Sequence, residues 1–301
     1  MAIKYLQHTE IDKDKWDECI YKSSNGLIYS TSVFLDNMAT DWEALILDDY
    51  SAVMPLPFRK KYGIYYVYPP AFSQQIGITS IQKISADVVD SFIKHIPKKF
   101  RYVEMNLNTE NVFSHTNNII RNNYFLPLSN SFEALQKSFS RSANRNIKKA
   151  IEENITTKEG VDADEIIAVH RARFNDKVGA NENDYQRLQK LLIALKESDM
   201  LFTIGAYKAN RLIAGSVYFV YKNRITFIIN GNNEESLKNG ATHLLMNETI
   251  KKFSGKEFIL DFEGSDFPEF VRFYKQYGAV QENYTMIKIN NLPWLLSLFK
   301  K

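Results

Sequence analysis

Cysteine is nearly absent from this chain, and several other features are missing with it. Cys19 is the only cysteine among 301 residues, so no internal disulfide can form. No cysteines and histidines are spaced like the ligands of a metal site. No apolar run reaches the roughly 18 to 20 residues that a membrane helix needs, and the N-terminus lacks an apolar signal-peptide core. We therefore expect a cytoplasmic protein without a metal, in which Cys19 is a buried structural thiol.

An excess of charge of one sign is also missing. The formal net charge is +3, with 45% hydrophobic and 24% charged residues. These values are typical of globular chains and exclude one that is mostly disordered. Nucleic-acid binding would have to depend on a local cluster of cations, because the overall charge is small. The length suggests two domains, at a prior of roughly 150 residues each.

The spacing of apolar residues predicts the same order of elements in both halves. Each half is expected to have helices first, then a three-stranded antiparallel meander, then a helix and two strands. In the second half the meander covers residues 201–230, with tight links at Ala209-Asn210 and Lys222-Asn223. The predicted fold class is α/β with mixed, mainly antiparallel sheets, arranged as tandem domains at 1–129 and 130–301. A single irregular α/β domain is the alternative.

A predicted helix with two distinct faces opens the second half. Asn130 is the expected cap, with Glu133 three residues on, and the apolar positions recur every four residues: Leu135, Phe139, Ala143, Ile147. The opposite face carries cations without an intervening acid: Lys137, Arg141, Arg145, Lys148, Lys149. A solvated face is one interpretation. Contact of Arg141, Arg145 and Lys148 with a substrate anion or an RNA backbone is the other.

A polar loop links the strand predicted at residues 225–230 to the next helix. The start of a helix presents unpaired amides that can bind phosphate, and Gly240 would let a ligand approach the backbone. Lys238 would add positive charge. The candidate cofactor-binding residues are Ile229, Asn230, Gly231, Lys238, Asn239, Gly240 and Ala241. An ordinary capped loop is the alternative.

Carboxylates stand at the end of the penultimate predicted strand, residues 258–262. Ligands of open α/β sheets bind beyond the carboxyl ends of strands, and a carboxylate there could orient or deprotonate an amine. Asp261 and Glu263 are therefore candidate catalytic residues. Ser265 and Asp266 fit better as caps of the following helix.

A tyrosine near the end of that following helix is the third candidate. Tyr274 lies one turn before Gly278, the expected C-cap. A phenol at this place could protonate a leaving thiolate. A core aromatic is the alternative interpretation.

Together these features make the second half resemble the GNAT-type N-acyltransferases. The resemblance rests on the meander ending at residues 225–230, on the helix starting Gly240-Ala241, and on the motif FYKQYGA at 273–279. It implies that a splayed strand receives the pantetheine of an acyl donor. It further implies that the loop and the helix start hold the coenzyme A pyrophosphate, and that Tyr274 is the general acid.

The whole chain, taken as two such units, resembles the Fem-type aminoacyltransferases and related tandem GNAT proteins of bacteria. The segments that carry this are SRSANRNIKKA at 140–150, SQQIG at 73–77 and DFEGS at 261–265. Fem-type proteins move an amino acid from aminoacyl-tRNA to a peptidoglycan-precursor amine. Two positions depart from the patterns. The segment LKNGAT at 237–242 is poorer than a coenzyme A loop, whereas Tyr274 replaces the Fem-type lysine and favours thioester chemistry.

Three functions are therefore open. The leading hypothesis is an N-acyltransferase that uses acyl-CoA as co-substrate and a small or peptidic amine as acceptor. In it Asp261 or Glu263 deprotonates the amine and Tyr274 protonates the sulfur. The second is an aminoacyl-tRNA-dependent transferase of peptidoglycan precursors, and the third is a non-catalytic binding module. In each, the first half is a degenerate copy of the second.

Overall fold

The computed structural model describes residues 2–113, 118–174, 179–264 and 267–294. The chain forms two compact units. The first comprises residues 1–121, 186–191 and 283–301, and the second comprises 122–185 and 192–282. The domain limits predicted from the sequence, 1–129 and 130–301, stay a prediction.

The N-terminal part of the chain supplies the strands and helices of the first unit. They are β1 (Ile3–Leu6), α1 (Lys13–Lys22), α2 (Ser32–Met38), β2 (Asp41–Leu47), β3 (Ala52–Lys61), β4 (Ile64–Val67), β5 (Thr79–Ser80), α3 (Ala86–Lys94) and β6 (Phe100–Asn106). Short 3-10 helices lie at His8–Glu10 and Ile28–Ser30.

The remaining elements follow in chain order. They are β7 (Ile119–Pro127), α4 (Phe132–Lys137), α5 (Arg141–Glu152), β8 (Thr156–Glu159), α6 (Ala163–Phe174), α7 (Glu182–Glu197), β9 (Leu201–Lys208), β10 (Arg211–Tyr221), β11 (Arg224–Asn232), α8 (Glu234–Asn239), α9 (Ala241–Phe253), β12 (Ile259–Asp261), α10 (Pro268–Lys275) and β13 (Val280–Asn290).

Strand pairing follows one plan in both units. The first has the order β1-β2-β3-β4-β6, with β5 on β3 and residues 286–290 of β13 on β6. The second has the order β7-β12-β11-β10-β9-β8. Only β4 with β6, and β11 with β12, are parallel among the pairs of described residues. Each unit thus contains a meander, a helix and then a parallel strand. The predicted α/β fold with mainly antiparallel sheets in tandem is confirmed.

Apolar helix faces cover the sheet of the second unit. Leu245 and Ile250 of α9 pack with Ala143 of α5 and with Leu126 and Leu260 of the strands. Each such buried aliphatic side chain contributes roughly 1.5–3 kcal/mol. This packing fixes where α9 begins and where β12 ends, which are the two places that the sequence marks as functional.

The helix predicted to open the second half is two helices, α4 and α5. Ser138 Oγ donates to the carbonyl of Leu135, and Ser140 Oγ accepts the amide of Ala143 as the cap of α5. Serines compete in this way for backbone groups and interrupt a helix. The cap of α4 is Ser131, not Asn130. The apolar periodicity survives because both helices bury their residues on the same core.

The loop predicted after residue 230 is also more regular than expected. β11 continues to Asn232, and α8 follows at once, capped by the Asn233 side chain, which accepts the amide of Ser236 at 2.9 Å. An asparagine cap of this kind favours a short helix. The start of α9 is therefore reached from another helix rather than from an open loop.

Two further expectations from the sequence can be placed in the fold. Cys19 is 1% exposed, and burial raises the pKa of its thiol to about 11, which confirms that the thiol is buried. Within the described ranges, no helix combines the length and apolarity needed to cross a membrane.

Candidate functional site

Strands β11 and β12 separate soon after they meet. They pair only between residues 224–226 and 259–261, although β11 continues to Asn232 against β10. Ile228 is an extra residue in β11, because Val217 pairs with Ile229 and Tyr218 with Phe227. Such a bulge bends a strand and raises its twist. No strand of the described chain lies along the outer edge of residues 227–232, so this edge is open.

Tyr274 of α10 lies where the two strands part. Its ring stacks on Phe262, the residue after β12, with centroids 4.8 Å apart and planes at 27°. The side chain is 8% exposed. Burial raises the pKa of the Tyr274 phenol far above its ordinary value, and the carboxylates of Glu263 and Asp261 raise it further. The phenol therefore keeps its proton and is suited to donate it.

Asp261 is held in a buried ion pair. Its Oδ2 accepts a hydrogen bond from Arg224 Nη1 at 2.5 Å, and its Oδ1 accepts from the amide of Glu263 at 2.9 Å. The side chain is 2% exposed. Both oxygens are thus engaged at the last paired residues of β11 and β12. This arrangement fits a residue that positions the strands.

Glu263 occupies a bend just beyond Asp261. Its backbone has a φ of 59°, in the left-handed region that few non-glycine residues adopt, and its side chain is half-buried. The amide of Gly264 donates to Asn123 Oδ1 at 3.1 Å and fixes the chain after the bend. Ser265 and Asp266, predicted to cap the next helix, lie outside the described residues.

The start of α9 is more enclosed than the sequence suggests. Gly240 has a φ of +80°, and a Cβ there would lie 2.1 Å from the carbonyl oxygen of Asn146 on α5. The close approach of α5 therefore requires this glycine. Lys238 is exposed, and Asn239 Oδ1 accepts the amide of Ala241 at 3.1 Å.

Two polar side-chain atoms at this helix start have no hydrogen-bond partner among the described residues. They are Asn239 Nδ2 and Thr242 Oγ1, and both atoms are buried. A buried polar atom without a partner costs roughly 1–3 kcal/mol. Such atoms are retained where a ligand or water completes them. They mark this place more strongly than Gly240 does.

The other predicted cofactor-binding residues lie on β11. Ile229 is buried, and the carbonyl oxygen of Asn230 lies 3.0 Å from Nδ1 of His170 on α6. Gly231 lets the same helix approach, because a Cβ there would lie 2.5 Å from the carbonyl oxygen of Ile166. Contact with α6 therefore explains Gly231 without a ligand. Asn230 Oδ1 is buried without a partner in the described chain.

The cations predicted to contact substrate or RNA line the outer face of α5. Arg141, Arg145 and Lys148 are exposed, whereas Ala143 and Ile147 are buried on the opposite face. Lys148 lies 3.6 Å from Glu152, one turn away. Within the described ranges Arg141 and Arg145 form no ion pair. The predicted two-faced helix is thus present.

Sequence reasoning missed a partly buried polar group that links α5, α9 and the residues just after α10. His243 Nδ1 lies 2.7 Å from Tyr277 Oη, and His243 Nε2 lies 3.2 Å from Asn146 Nδ2. Burial lowers the pKa of His243 to about 4 and raises that of Tyr277. The only local signal is that His243 follows Gly240 by three residues. The contacts themselves join residues far apart in sequence.

In the first unit, the edge that corresponds to the open edge of β11 is filled by a segment of the same unit. The amides of Ile76 and Gly77 both donate to the carbonyl of Asn106 at the end of β6, at 3.0 and 3.2 Å. Directly afterwards β5 pairs with residues 52 and 53 of β3. The segment SQQIG, singled out in the sequence, therefore fills the gap between β3 and β6.

This geometry agrees with comparisons of the chain with known proteins. The family described as "Acetyltransferase (GNAT) domain" matches residues 137–276. These residues hold α5 to α10, and thus the open edge, the start of α9 and Tyr274. The chain therefore carries a GNAT acyltransferase domain. No curated protein sequence matches it closely enough to count as a relative.

Solved structures extend the likeness over the full length. FemX is similar with a TM-score of 0.71 and 12% identity over 100% of both chains. L-PGS from Bacillus licheniformis gives 0.58 and 10% over 96% of this chain and 95% of that one. A tandem GNAT protein from the clavulanic acid biosynthesis pathway gives 0.55 and 8% over 97% and 99%. At these identities the likeness shows the fold: two tandem GNAT-like units.

Proposed function

We propose that the protein is an N-acyltransferase that moves an acyl group from acyl-CoA to an amine acceptor in the cytoplasm. The observation that carries this proposal is the open edge of residues 227–232, which begins beside the protonated phenol of Tyr274. An extended amide chain such as pantetheine can add to an open strand edge through backbone hydrogen bonds. The thioester would then lie near the point where β11 and β12 separate.

The start of α9 fits the phosphate end of the same donor. Its first amides and the positive end of the helix dipole favour an anion. Asn239 Nδ2 and Thr242 Oγ1 are donors that still need acceptors in the described chain. Phosphate oxygens would satisfy both. Gly240 has a packing role against Asn146, so we assign the phosphate contact to its two neighbours.

The proton transfers are assigned to two side chains. Glu263 takes the proton of the amine as its nitrogen attacks the thioester carbonyl, which forms the C–N bond. As the C–S bond breaks, Tyr274 gives its proton to the departing sulfur. Asp261 is assigned a positioning role instead, because both of its oxygens are already engaged with Arg224 and the Glu263 amide.

Calorimetry with coenzyme A tests the donor, with two threonine variants of α9 as a matched pair. Thr242→Val removes a buried hydroxyl without a partner, so folding stability should hold or rise while affinity falls roughly tenfold. Thr249→Val removes a hydroxyl that bonds the Leu245 carbonyl and Tyr218. It should lower stability by about 1 kcal/mol and leave affinity unchanged. No binding by the unaltered protein at millimolar ligand removes the acyl-CoA donor.

A second candidate donor is aminoacyl-tRNA, with a peptidoglycan precursor as acceptor. The observation that favours it is the exposed face of α5, where Arg141 and Arg145 form no ion pair with any described residue. Binding of charged tRNA should weaken steeply with salt. The double variant Arg141→Glu/Arg145→Glu should flatten that slope by about one unit for each lost phosphate contact. Absent or salt-independent binding excludes this donor.

We infer that only the second unit takes a donor. In the first unit, the segment at residues 76–80 already bonds β6 and β3, where a pantetheine would have to lie. Calorimetry should therefore give one coenzyme A per chain. A stoichiometry of two would show that the first unit binds donor as well.

A further inference from the structure

Three segments of the first unit combine many cations with no acid. They are residues 59–68, 98–103 and 286–294, and their cations are Arg59, Lys60, Lys61, Lys98, Lys99, Arg101 and Lys288. The β3–β4 hairpin, the parallel pair β4–β6 and the pair β6–β13 bring the three segments side by side. The charge of Lys99 is balanced by Glu43, whose carboxylate accepts a hydrogen bond from Lys99 Nζ at 2.7 Å. Lys288 lies opposite Glu104 on β6, so the positive charge of this surface rests on Arg59, Lys60, Lys61, Lys98 and Arg101.

A groove of about 370 Å³ lies within this surface. Its lining combines the apolar side chains of Ile64, Leu292 and Pro293 with the cations Lys99 and Arg101. Apolar groups beside cations suit a ligand that is itself amphipathic, with a negative end and a hydrocarbon end.

Two large aromatic side chains project beside the groove. Tyr62, at the turn of the β3–β4 hairpin, is 91% exposed, and Trp294 is 72% exposed. Tyrosine and tryptophan with an apolar body and a polar tip concentrate at membrane–water interfaces. Lysines next to them are drawn to anionic lipid headgroups. We propose that this basic groove docks the protein onto the surface of an anionic membrane.

The contacts of the aromatic rings favour a membrane over a nucleic acid. Single-stranded nucleic acids bind by stacking bases on open aromatic faces. Here the faces already carry cations: Arg59 lies 4.2 Å from the Tyr68 ring, Lys60 4.8 Å from Tyr65 and Lys61 5.5 Å from Tyr62. Apolar Leu292 and Pro293 offer nothing to a phosphodiester backbone. They can accommodate the glycerol and first methylenes of a lipid.

The test is co-sedimentation of the full chain with two kinds of vesicle, phosphatidylcholine alone and phosphatidylcholine mixed with phosphatidylglycerol. Binding is expected only to the mixed vesicles, and to weaken with salt. The double variant Lys60→Glu/Lys61→Glu should lower partitioning on the order of tenfold or more. Tyr62→Ser should lower it several-fold even at low salt, because it removes the inserting ring and keeps the charge.

Matched controls change other exposed positions of the same unit. Lys4→Glu/Lys83→Glu makes the same change of net charge, and Tyr21→Ser removes a tyrosine that is 65% exposed on α1. Both should bind vesicles like the unaltered protein. Trp294 supplies a direct signal, since Trp16 and Trp42 are buried: its fluorescence should shift to the blue on the mixed vesicles.

Three results would overturn the proposal. The first is equal binding to neutral and anionic vesicles, and the second is equal loss in the control variants. The third is an absence of vesicle binding together with single-stranded RNA binding that Lys60→Glu/Lys61→Glu abolishes, which would identify a nucleic-acid surface instead. Coenzyme A binding does not enter any of these outcomes, so the donor assignment stands or falls separately.

Discussion

The guanidinium of Arg224 lies 2.5 Å from the buried carboxylate of Asp261. Arg224 opens β11 and Asp261 ends β12, so the ion pair spans the short stretch over which these strands are joined. Beyond it the strands separate and the edge of β11 is open. The pair thus holds the sheet closed on one side of the candidate site.

Replacing Arg224 by methionine should strongly destabilise the fold. The Asp261 carboxylate, 2% exposed, would be left without its partner, and a buried unpaired charge costs about 3–5 kcal/mol. Urea denaturation measures this loss. The double variant Arg224→Met/Asp261→Leu should recover most of it, because it removes both charges. A loss below about 1 kcal/mol in the single variant would mean that water screens the pair.

His243 should make folding stability depend on pH. Burial lowers its pKa to about 4 in the folded protein, whereas the unfolded value is about 6.5. The unfolded state therefore binds more protons between these values, and stability falls as the pH drops from about 6.5 to about 4. The difference amounts to roughly 3 kcal/mol. Urea denaturation at pH 7 and at pH 5 reads out this slope.

Histidine variants show which imidazole causes this dependence of stability on pH. His243→Gln should flatten it and also lower stability at pH 7, since the contact with Tyr277 is disturbed. Burial also lowers the pKa of His170. His170 therefore contributes to the same dependence of stability on pH, and this contribution should remain in His243→Gln. His95→Gln, at an exposed position, is the control for the loss of an imidazole. An unchanged slope in His243→Gln would contradict a partly buried imidazole that stays neutral.

Replacing Gly240 by alanine should destabilise the fold, because the packing of α5 requires a glycine at this position. The new Cβ would meet the Asn146 carbonyl oxygen at 2.1 Å, at a φ of +80°, and the expected cost is roughly 2–4 kcal/mol of stability. Gly255→Ala is the matched control. It has a similar φ of +71° but no atom within 4 Å, so about 1 kcal/mol of strain is expected. Equal losses of thermal stability in both variants would show that α5 shifts to accommodate the new Cβ at position 240.

Local patterns in the sequence predict much of the fold and part of the site. Apolar spacing places α9 and the meander, and the motif at residues 273–279 places Tyr274. The side-chain contacts that build the candidate site are not local in sequence. Arg224–Asp261 joins residues 37 apart, His243–Tyr277 34 apart and Asn146–His243 97 apart. Each depends on how helices pack on the sheet, which no local pattern records.

The glycines illustrate the same limit. Gly240 allows a close approach, as the sequence suggests, and Gly231 does so too, but the approaching groups are the backbones of α5 and α6. A glycine indicates that another group approaches the backbone closely. It does not indicate whether that group is a ligand or another part of the protein. The atoms to which we assign the phosphate contact, Asn239 Nδ2 and Thr242 Oγ1, belong to ordinary polar residues. They become informative only when burial shows that they are unsatisfied.

Tyr274→Phe should separate catalysis from folding. The hydroxyl makes no hydrogen bond to another described residue, so stability should change little. Loss of a general acid should lower kcat roughly a hundredfold or more with an acyl-CoA donor. The deficit should shrink with an aryl thioester, whose acidic leaving thiol needs no proton. Because the pKa of the phenol is raised, no loss of activity at moderately alkaline pH is expected from this residue.

Tyr277→Phe is the matched control for that experiment. It removes another buried phenol, 0% exposed, whose oxygen lies 2.7 Å from His243 Nδ1. We expect a loss of about 1 kcal/mol in stability, with no dependence of the remaining activity on the leaving group. Two measurements, denaturation and turnover with the two donors, therefore give opposite patterns for the two tyrosines. If Tyr274→Phe loses the same factor with both thioesters, the phenol orients the donor and does not protonate the sulfur.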